Sequence, residues 1–417
     1  MLRDRIFSLL EARLSQLGMP LEVECWNGWR LQTGAPPRLR LVLRDASALA
    51  ALARPRLGKL AESYVKNIID IEGHIADVIR FGNLLCAADD QQVRSIRSGA
   101  PRASWFRKRL SDREAIGLHY DVSNDFYALW LDRQRVYSCA YFRTAQDSLD
   151  LAQAQKLEHI CRKLQLVPGD RLLDVGCSWG ALLFHAVERF GVTALGITLS
   201  QQQYDFVSGQ IAARGLENRM QVRLQHYLEV PTQQPFDKIA SVGMFEHVGA
   251  EQLPRYFKHL HDLLAPGGLL LNHGITAGSP DNTQGLGSDI SEFIEKFVFP
   301  GGELVHLCRV TELLSRAGLE AVDVESLRPH YARTLWHWVN RLEVHQEEAK
   351  RLIGDERYRI WRIYMAGSAH AFERGWMSIH QVLAGRPLAD GALRLPLTRE
   401  HMYANALAPV HDTARTT

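Results

Sequence analysis

The chain has 417 residues, enough for two or three domains. Hydrophobic residues make up 46% and charged residues 23%, an ordinary balance for a globular protein. Lys and Arg total 49 against 47 for Asp and Glu, a formal charge of +2, which does not support a bulk nucleic-acid-binding surface. The six cysteines (Cys25, Cys86, Cys139, Cys161, Cys177 and Cys308) are scattered without a Cys-x-x-Cys pair. Neither a disulfide framework nor a metal site is indicated, and free thiols point to a reducing, cytoplasmic setting. No apolar run approaches the roughly 20 residues that span a bilayer. Charges at Arg3, Asp4, Arg5, Glu11 and Arg13 interrupt any leader peptide, so contact with lipid would be made from the surface.

Leu2, Ile6, Leu9, Leu10, Leu14 and Leu17 recur at helical spacing, which predicts an amphipathic helix. Such a helix packs on its own domain or lies on a membrane, and the first reading is the plainer. Period-two alternation predicts strands at 21–26 and 38–44, and helical patterns follow at 60–69 and 73–88. Together these make a small α+β domain over 1–92. The segment 93–118 is a linker with Arg94, Arg97, Arg102, Arg107, Lys108, Arg109 and Arg113. It is either a solvated connection or a patch for an anionic lipid surface, where each basic residue contributes on the order of 1 kcal/mol.

From His119 the chain is rich in aromatic and small polar residues. A helix is predicted at 151–166. It leads into Arg-Leu-Leu-Asp-Val-Gly-Cys-Ser-Trp-Gly-Ala at 171–181, which reads as a short strand, a glycine turn and a helix start. Glycine allows a ligand close to the backbone, and free N–H groups of the helix start point at it. The Gly-x-Ser-x-Gly spacing is neither the dinucleotide fingerprint nor a P-loop, and it suits a cofactor without a pyrophosphate. S-adenosylmethionine is the commonest of these, though a glycine turn within any α/β domain would read alike. Strands at 192–197, 221–224, 236–242, 269–273 and 321–327 alternate with helices at 200–214, 252–264 and 310–317. The fold class is therefore α/β, a doubly wound, mostly parallel Rossmann-like sheet. Ligands of such sheets sit at the carboxyl ends of the strands, where Asp174, Thr198, Tyr227, Glu246 and His273 all fall. Residues 276–302, with an apolar helix at 290–298, are a candidate lid or tunnel wall. A helical tail is predicted from 334 to 383, and 386–417 form a tail with few apolar positions.

Six segments stand in a telling order. They are His119-Tyr120-Asp121-Val122-Ser123-Asn124-Asp125-Phe126-Tyr127, Tyr137-Ser138-Cys139-Ala140-Tyr141-Phe142, Asp174-Val175-Gly176-Cys177-Ser178-Trp179-Gly180, Gly196-Ile197-Thr198-Leu199-Ser200, Ser241-Val242-Gly243-Met244-Phe245-Glu246-His247-Val248-Gly249, and the His273 strand. Over roughly 117–383 they resemble the cyclopropane-fatty-acyl-phospholipid synthase and mycolic acid cyclopropane synthase family. The N-terminal region looks like the extra domain of the bacterial phospholipid enzymes.

That resemblance implies a methyltransferase catalytic domain over 119–385. Such an enzyme would act on cis double bonds of unsaturated phospholipid acyl chains, from the inner face of the membrane. A homodimer is left open. The alkene would attack the sulfonium methyl of S-adenosylmethionine, and loss of a proton from the new methyl group would close a cyclopropane ring. An isolated alkene is a weak nucleophile, so alignment, negative potential and exclusion of water are needed. The family holds a bicarbonate ion as base. Carried over, its pocket would be Cys139, Glu246, His273, the backbone of Ile275, and Tyr331. Cofactor contacts would be Tyr137, Ser138, Gly176, Gly180, Thr198, Gln203 and Tyr227, with Asp174 bracing the turn. On the residues alone, Cys139 reads as a small buried hydrophobe, His273 as a core histidine, Glu246-His247 as a capping pair and Tyr331 as packing.

Three positions depart from the pattern. Ser178 replaces a glycine, and its Cβ calls for a negative φ or modest strain. His226 stands where an Asp is frequent, and Ser368 where the family has a cysteine proposed as catalytic.

Overall fold

The structure, a computed structural model, describes residues 2–93, 123–280, 288–298 and 303–403. The basic stretch 94–113, His119 to Val122 and the end of the tail lie outside the described residues. The chain divides into two units. One comprises Met1–Lys108, Leu286–Pro300 and Trp338–Ala371; the other comprises Arg109–Gly285, Gly301–His337 and Phe372–Thr417.

In the first unit, alternating burial makes strands of β1 (Leu21–Cys25) and β3 (Leu39–Leu43), each with every second side chain inward. They pair in parallel, and β2 (Arg30–Gln32) and β4 (Ile69–Gly73) complete the order β2-β1-β3-β4. The helix expected at 60–69 is Leu57–Val65 instead, and Ile69 opens β4. Asn67, in a left-handed turn at φ 55°, separates the two. The first helix, Leu2–Ser15, buries Phe7, Leu10 and Leu14, as a helix packed on its own domain does, and leaves Ile6 and Leu9 exposed. Helix Asp355–Arg374 contributes two buried guanidinium groups to this unit. Arg359 donates to Asp70, and Arg362 to the Tyr64 hydroxyl and the Gly73 carbonyl.

The second unit is built on seven strands. They are β5 (Arg171–Val175), β6 (Thr193–Thr198), β7 (Met220–Leu224), β8 (Phe236–Val242), β9 (Leu264–Ala277), β10 (Glu320–Ser326) and β11 (Met377–Gly385), in the order β10-β11-β9-β8-β5-β6-β7. The five from β9 to β7 are parallel, and β11 runs antiparallel between β9 and β10. This strand corrects the helical tail expected to reach residue 383. Gly375, at φ 72°, follows helix Asp355–Arg374, and the run from Met377 to Gly385 pairs residue for residue with β9. A second correction concerns the strand predicted at 269–273, which begins earlier, at Leu264, and includes Pro266-Gly267-Gly268. β9 passes through these residues, with only a register irregularity against β8.

Apolar layers cover both faces of this sheet. Leu157, Ile160, Leu183, Val207 and Ile211 pack on one face, and Leu253, Phe257, Leu260, Val310 and Leu314 on the other. The chain leaves β5 for β6 on one side and returns as β8 on the other. A crevice therefore opens at the carboxyl end of β5, where the two halves of the sheet diverge. Among the described residues, no helix is long and apolar enough to cross a membrane.

Candidate active site

At that crevice the glycine turn adopts a conformation few residues tolerate. Gly176 (φ 82°), Ser178 (φ 49°) and Gly180 (φ 79°) are all left-handed. Ser178 thus takes the strained alternative rather than a negative φ. The Gly176 and Cys177 N–H groups both donate to the Ile197 carbonyl at 3.0 Å, which ties the turn to β6. A Cβ on Gly180 would press on Phe184 and Val207 at 3.0–3.2 Å, so glycine is needed there for space as well as for φ.

Above the turn lies a cleft of about 410 Å³, whose walls include Tyr137, Ser138, Lys156, Asp174, Gly176 and Trp179. Four of the expected cofactor residues stand together here. Trp179 serves the cleft and the packing at once: it is 3% exposed, donates to the Asn124 side chain at 2.8 Å and packs tilted against Tyr127, 4.9 Å between ring centres. Burial pushes the Asp174 carboxyl up to about 7. Thr198, Gln203 and Tyr227 do not line the cleft. Thr198 Oγ1 donates to Gln203 Oε1 at 2.7 Å, and Tyr227 packs edge-on against Tyr256, with its carbonyl accepting from His259. His226 caps its own short helix, accepting from Leu228 N while Glu229 reaches back to its N–H.

The second cluster of expected residues is joined by backbone pairing. Cys139 Sγ lies 3.8 Å from the Leu327 carbonyl, which also accepts from Tyr331 N at 3.0 Å. Leu327 N donates to the Ile379 carbonyl, and Ile379 faces Ile275 across β11 and β9. Ile275 N–H donates to Glu246 Oε1 at 2.6 Å. His273 lies two residues earlier on β9, on the same face of the strand. Cys139 and Tyr331 therefore meet at the Leu327 carbonyl, and Glu246, His273 and Ile275 at β9, the two groups joined through Ile379 of β11.

Gly274 makes this possible. A Cβ there would collide with the Phe245 ring and approach Glu246 Oε1, so the short helix Phe245–His247 lies flat on the strand only because residue 274 is glycine.

The electrostatics are those of a dry site. Glu246 is partly buried, with its Oε2 shielded from solvent, and desolvation pushes its carboxyl up to about 7. Its Oε2 has no hydrogen-bond partner among the described residues. His273 is fully buried and is held well below its ordinary pKa of 6.5, so the ring is neutral. Gln381 Nε2 stands 3.2 Å from His273 Nδ1, which makes Nδ1 the acceptor and places the ring proton on Nε2. Nε2 has no partner among the described residues either. The site thus presents a buried donor, His273 Nε2, and buried acceptors, Glu246 Oε2 and Gln381 Oε1, without partners among the described residues, and a buried group in that condition costs about 1–3 kcal/mol until a ligand meets it. The Cys139 thiol is raised well above its ordinary range by burial, so it is held as a neutral thiol rather than a nucleophile.

Two residues of these sites were not expected from the sequence. Gln381 lies on β11, where the sequence pattern predicts helix. Lys156 follows Gln153 at helical spacing in Leu149–Lys163, and both are buried. A polar pair on the inward face of an amphipathic helix is the signal that would have found Lys156. Ser368, the third departure, is on helix Asp355–Arg374 in the first unit.

Known proteins bear out the pattern. The mycolic acid cyclopropane synthetase family matches residues 107–382, and a domain of unknown function matches 10–84. A probable fatty acid methyltransferase of Pseudomonas putida is 42% identical over 94% of this chain and 99% of its own. Cyclopropane mycolic acid synthase 1 of Mycobacterium tuberculosis is 37% identical over 64% of this chain and 94% of its own. Among solved structures, mycolic acid cyclopropane synthase CmaA1 complexed with SAH and CTAB superposes with a TM-score of 0.63 at 35% identity, covering 67% of this chain and 99% of that one. Coclaurine N-methyltransferase, at 17% identity and a TM-score of 0.60, shares the fold. The chain belongs to the mycolic acid cyclopropane synthetase family and is an S-adenosylmethionine-dependent methyltransferase of that family.

Proposed function

We propose that this methyltransferase carries one carbon from S-adenosylmethionine to the cis double bond of unsaturated acyl chains in membrane phospholipids and closes a cyclopropane ring. The observation that carries the reading is the buried pair of unmet groups, Glu246 Oε2 and His273 Nε2–H, built onto β9 beside the cofactor turn.

S-adenosylmethionine supplies an electrophilic methyl group. The residues supply what an alkene reaction lacks in water. The glycine turn, Tyr137 and Ser138 fix the cofactor's position, so the alkene needs alignment only. Glu246 provides negative potential in a site of low dielectric, where it acts most strongly on a developing carbocation. A bicarbonate ion fits the unmet groups, because its oxygens accept from His273 Nε2–H and its hydroxyl donates to Glu246 Oε2; once held, it would supply the base for the proton. Gln381 fixes the His273 tautomer that this requires. Ile275 N–H takes a different part from the one carried over, since it holds Glu246 in place. Tyr331 and the Cys139 thiol, which share the Leu327 carbonyl, are assigned to the same pocket. The basic segment 94–113 and the N-terminal unit are assigned the docking of the enzyme on the cytoplasmic face of the membrane.

A second reading is methyl transfer that ends in a methylene or methyl-branched chain, which the name of the P. putida relative favours. Purified protein, labelled S-adenosylmethionine and vesicles of unsaturated phospholipid test the substrate class. Label in unsaturated but not saturated vesicles is expected. Label in a small soluble acceptor, with none in lipid, would overturn it.

A further inference from the structure

Two lysines of helix Leu149–Lys163 are fully buried, and their surroundings differ. Lys163 Nζ is neutralised by Glu325 at 2.5 Å and Asp323 at 3.1 Å. Lys156, two helical turns earlier, has no carboxylate within ion-pair distance among the described residues. Its Nζ makes one hydrogen bond, to Ser138 Oγ at 2.8 Å. An ammonium has three protons to donate, so this one is under-used in a place where a buried charge is costly. Lys156 and Ser138 are both walls of the cleft over the glycine turn, and so is Asp174. Asp174 is 3% exposed, and no side-chain or backbone group among the described residues hydrogen-bonds its carboxylate.

The cleft wall therefore carries one buried cation and one buried carboxylate, which make no ion pair with each other. The amino-acid end of S-adenosylmethionine is a zwitterion with one charge of each sign. We propose that Lys156 is the residue that receives the carboxylate of the methionine moiety, with the Ser138 hydroxyl held beside it as a second donor. The inference rests on S-adenosylmethionine as cosubstrate. It assigns a charge-matching role to a residue on the helix before the glycine turn. Lys156 discriminates between ligands that carry the carboxylate and those that do not. Burial lowers the ammonium to about 8, which keeps it mostly charged at neutral pH, and a bound carboxylate would hold it charged further.

The test compares two ligands by calorimetry. S-adenosylhomocysteine carries the amino-acid group, and 5′-methylthioadenosine lacks it. Lys156→Met should weaken S-adenosylhomocysteine about 10- to 100-fold, the range of a charge-assisted hydrogen bond, and leave 5′-methylthioadenosine within about twofold. Lys156→Arg, which keeps the charge, should recover part of the loss. Equal weakening of both ligands, or of neither, would overturn the proposal, because a packing role does not distinguish them. Should Lys156→Met fail to fold, the wild-type protein decides with decarboxylated S-adenosylhomocysteine. A loss of about tenfold or more is expected, and equal affinity for the decarboxylated and intact ligands would overturn the proposal. If the wild type binds neither adenosyl ligand, the cosubstrate assignment itself fails, which is a separate outcome.

Discussion

Glu246 is expected to cost the protein stability in proportion to what it contributes to function. Burial moves its carboxyl from an ordinary 4.5 to about 7 in the folded chain. Below pH 4.5 the group is protonated in both folded and unfolded chains, and no penalty arises. Between 4.5 and 7 the unfolded chain ionises first, so the fold loses stability as pH rises, and above 7 the penalty is complete. At about 1.36 kcal/mol per pH unit, the full penalty is on the order of 3 kcal/mol. Glu246→Gln mimics the protonated form and can still accept from Ile275 N–H. It should therefore melt roughly 6 °C above wild type at pH 8, at about 2 °C per kcal/mol for a unit of this size, and at nearly the same temperature at pH 4.5. Asp174 is raised to about 7 as well, but it is present in both proteins and drops out of the difference. Turnover of the same variant should fall by orders of magnitude with adenosyl-ligand affinity close to normal. Thermal melting of ligand-free protein across this pH range is the assay. A variant less stable than wild type at pH 8, or a gain independent of pH, would refute the reasoning.

Two further substitutions probe the backbone. Gly274→Ala forces a methyl group into Phe245 and towards Glu246, so it should cost about 1–3 kcal/mol and remove most activity; calorimetric melting and a vesicle assay read both. Ser178→Gly releases a left-handed residue that costs about 1–2 kcal/mol, offset by about 0.5–1 kcal/mol of added chain entropy, so the variant should melt at or slightly above wild type, whereas Ser178→Val should melt well below it.

How far the sequence reveals this depends on the kind of signal. Strands β5, β6 and β8 announce themselves as short apolar runs between glycine turns and helices, and the glycine turn marks the cofactor end of the sheet. β11 does not, because it follows a long helix without a proline or an extended polar loop. Only Gly375 and the run Ile379–Leu383 mark the change of period, and the helical reading absorbed them. Gln381 is hidden with that strand, although it sets the tautomer of His273, which the sequence does mark. Lys156 is hard to read for another reason: a lysine in a helix reads as a solvated face, and only its spacing from Gln153 on the inward face signals otherwise. Ser178 shows the reverse limit. The need for an unusual φ was legible from the glycine it replaces, and which alternative it takes was not.

The central claim is that one carbon ends as a ring on a membrane acyl chain. S-adenosylmethionine carrying a fully deuterated methyl group, incubated with the protein and vesicles of a cis-unsaturated phospholipid, tests it most directly. The account predicts acyl chains that have gained one carbon and lost one of its deuteriums, with the two remaining deuteriums resonating at the high field of a cyclopropane methylene and with resistance to mild hydrogenation. A product that keeps every deuterium on a methyl branch, or one that takes up hydrogen as an exocyclic alkene, would contradict it.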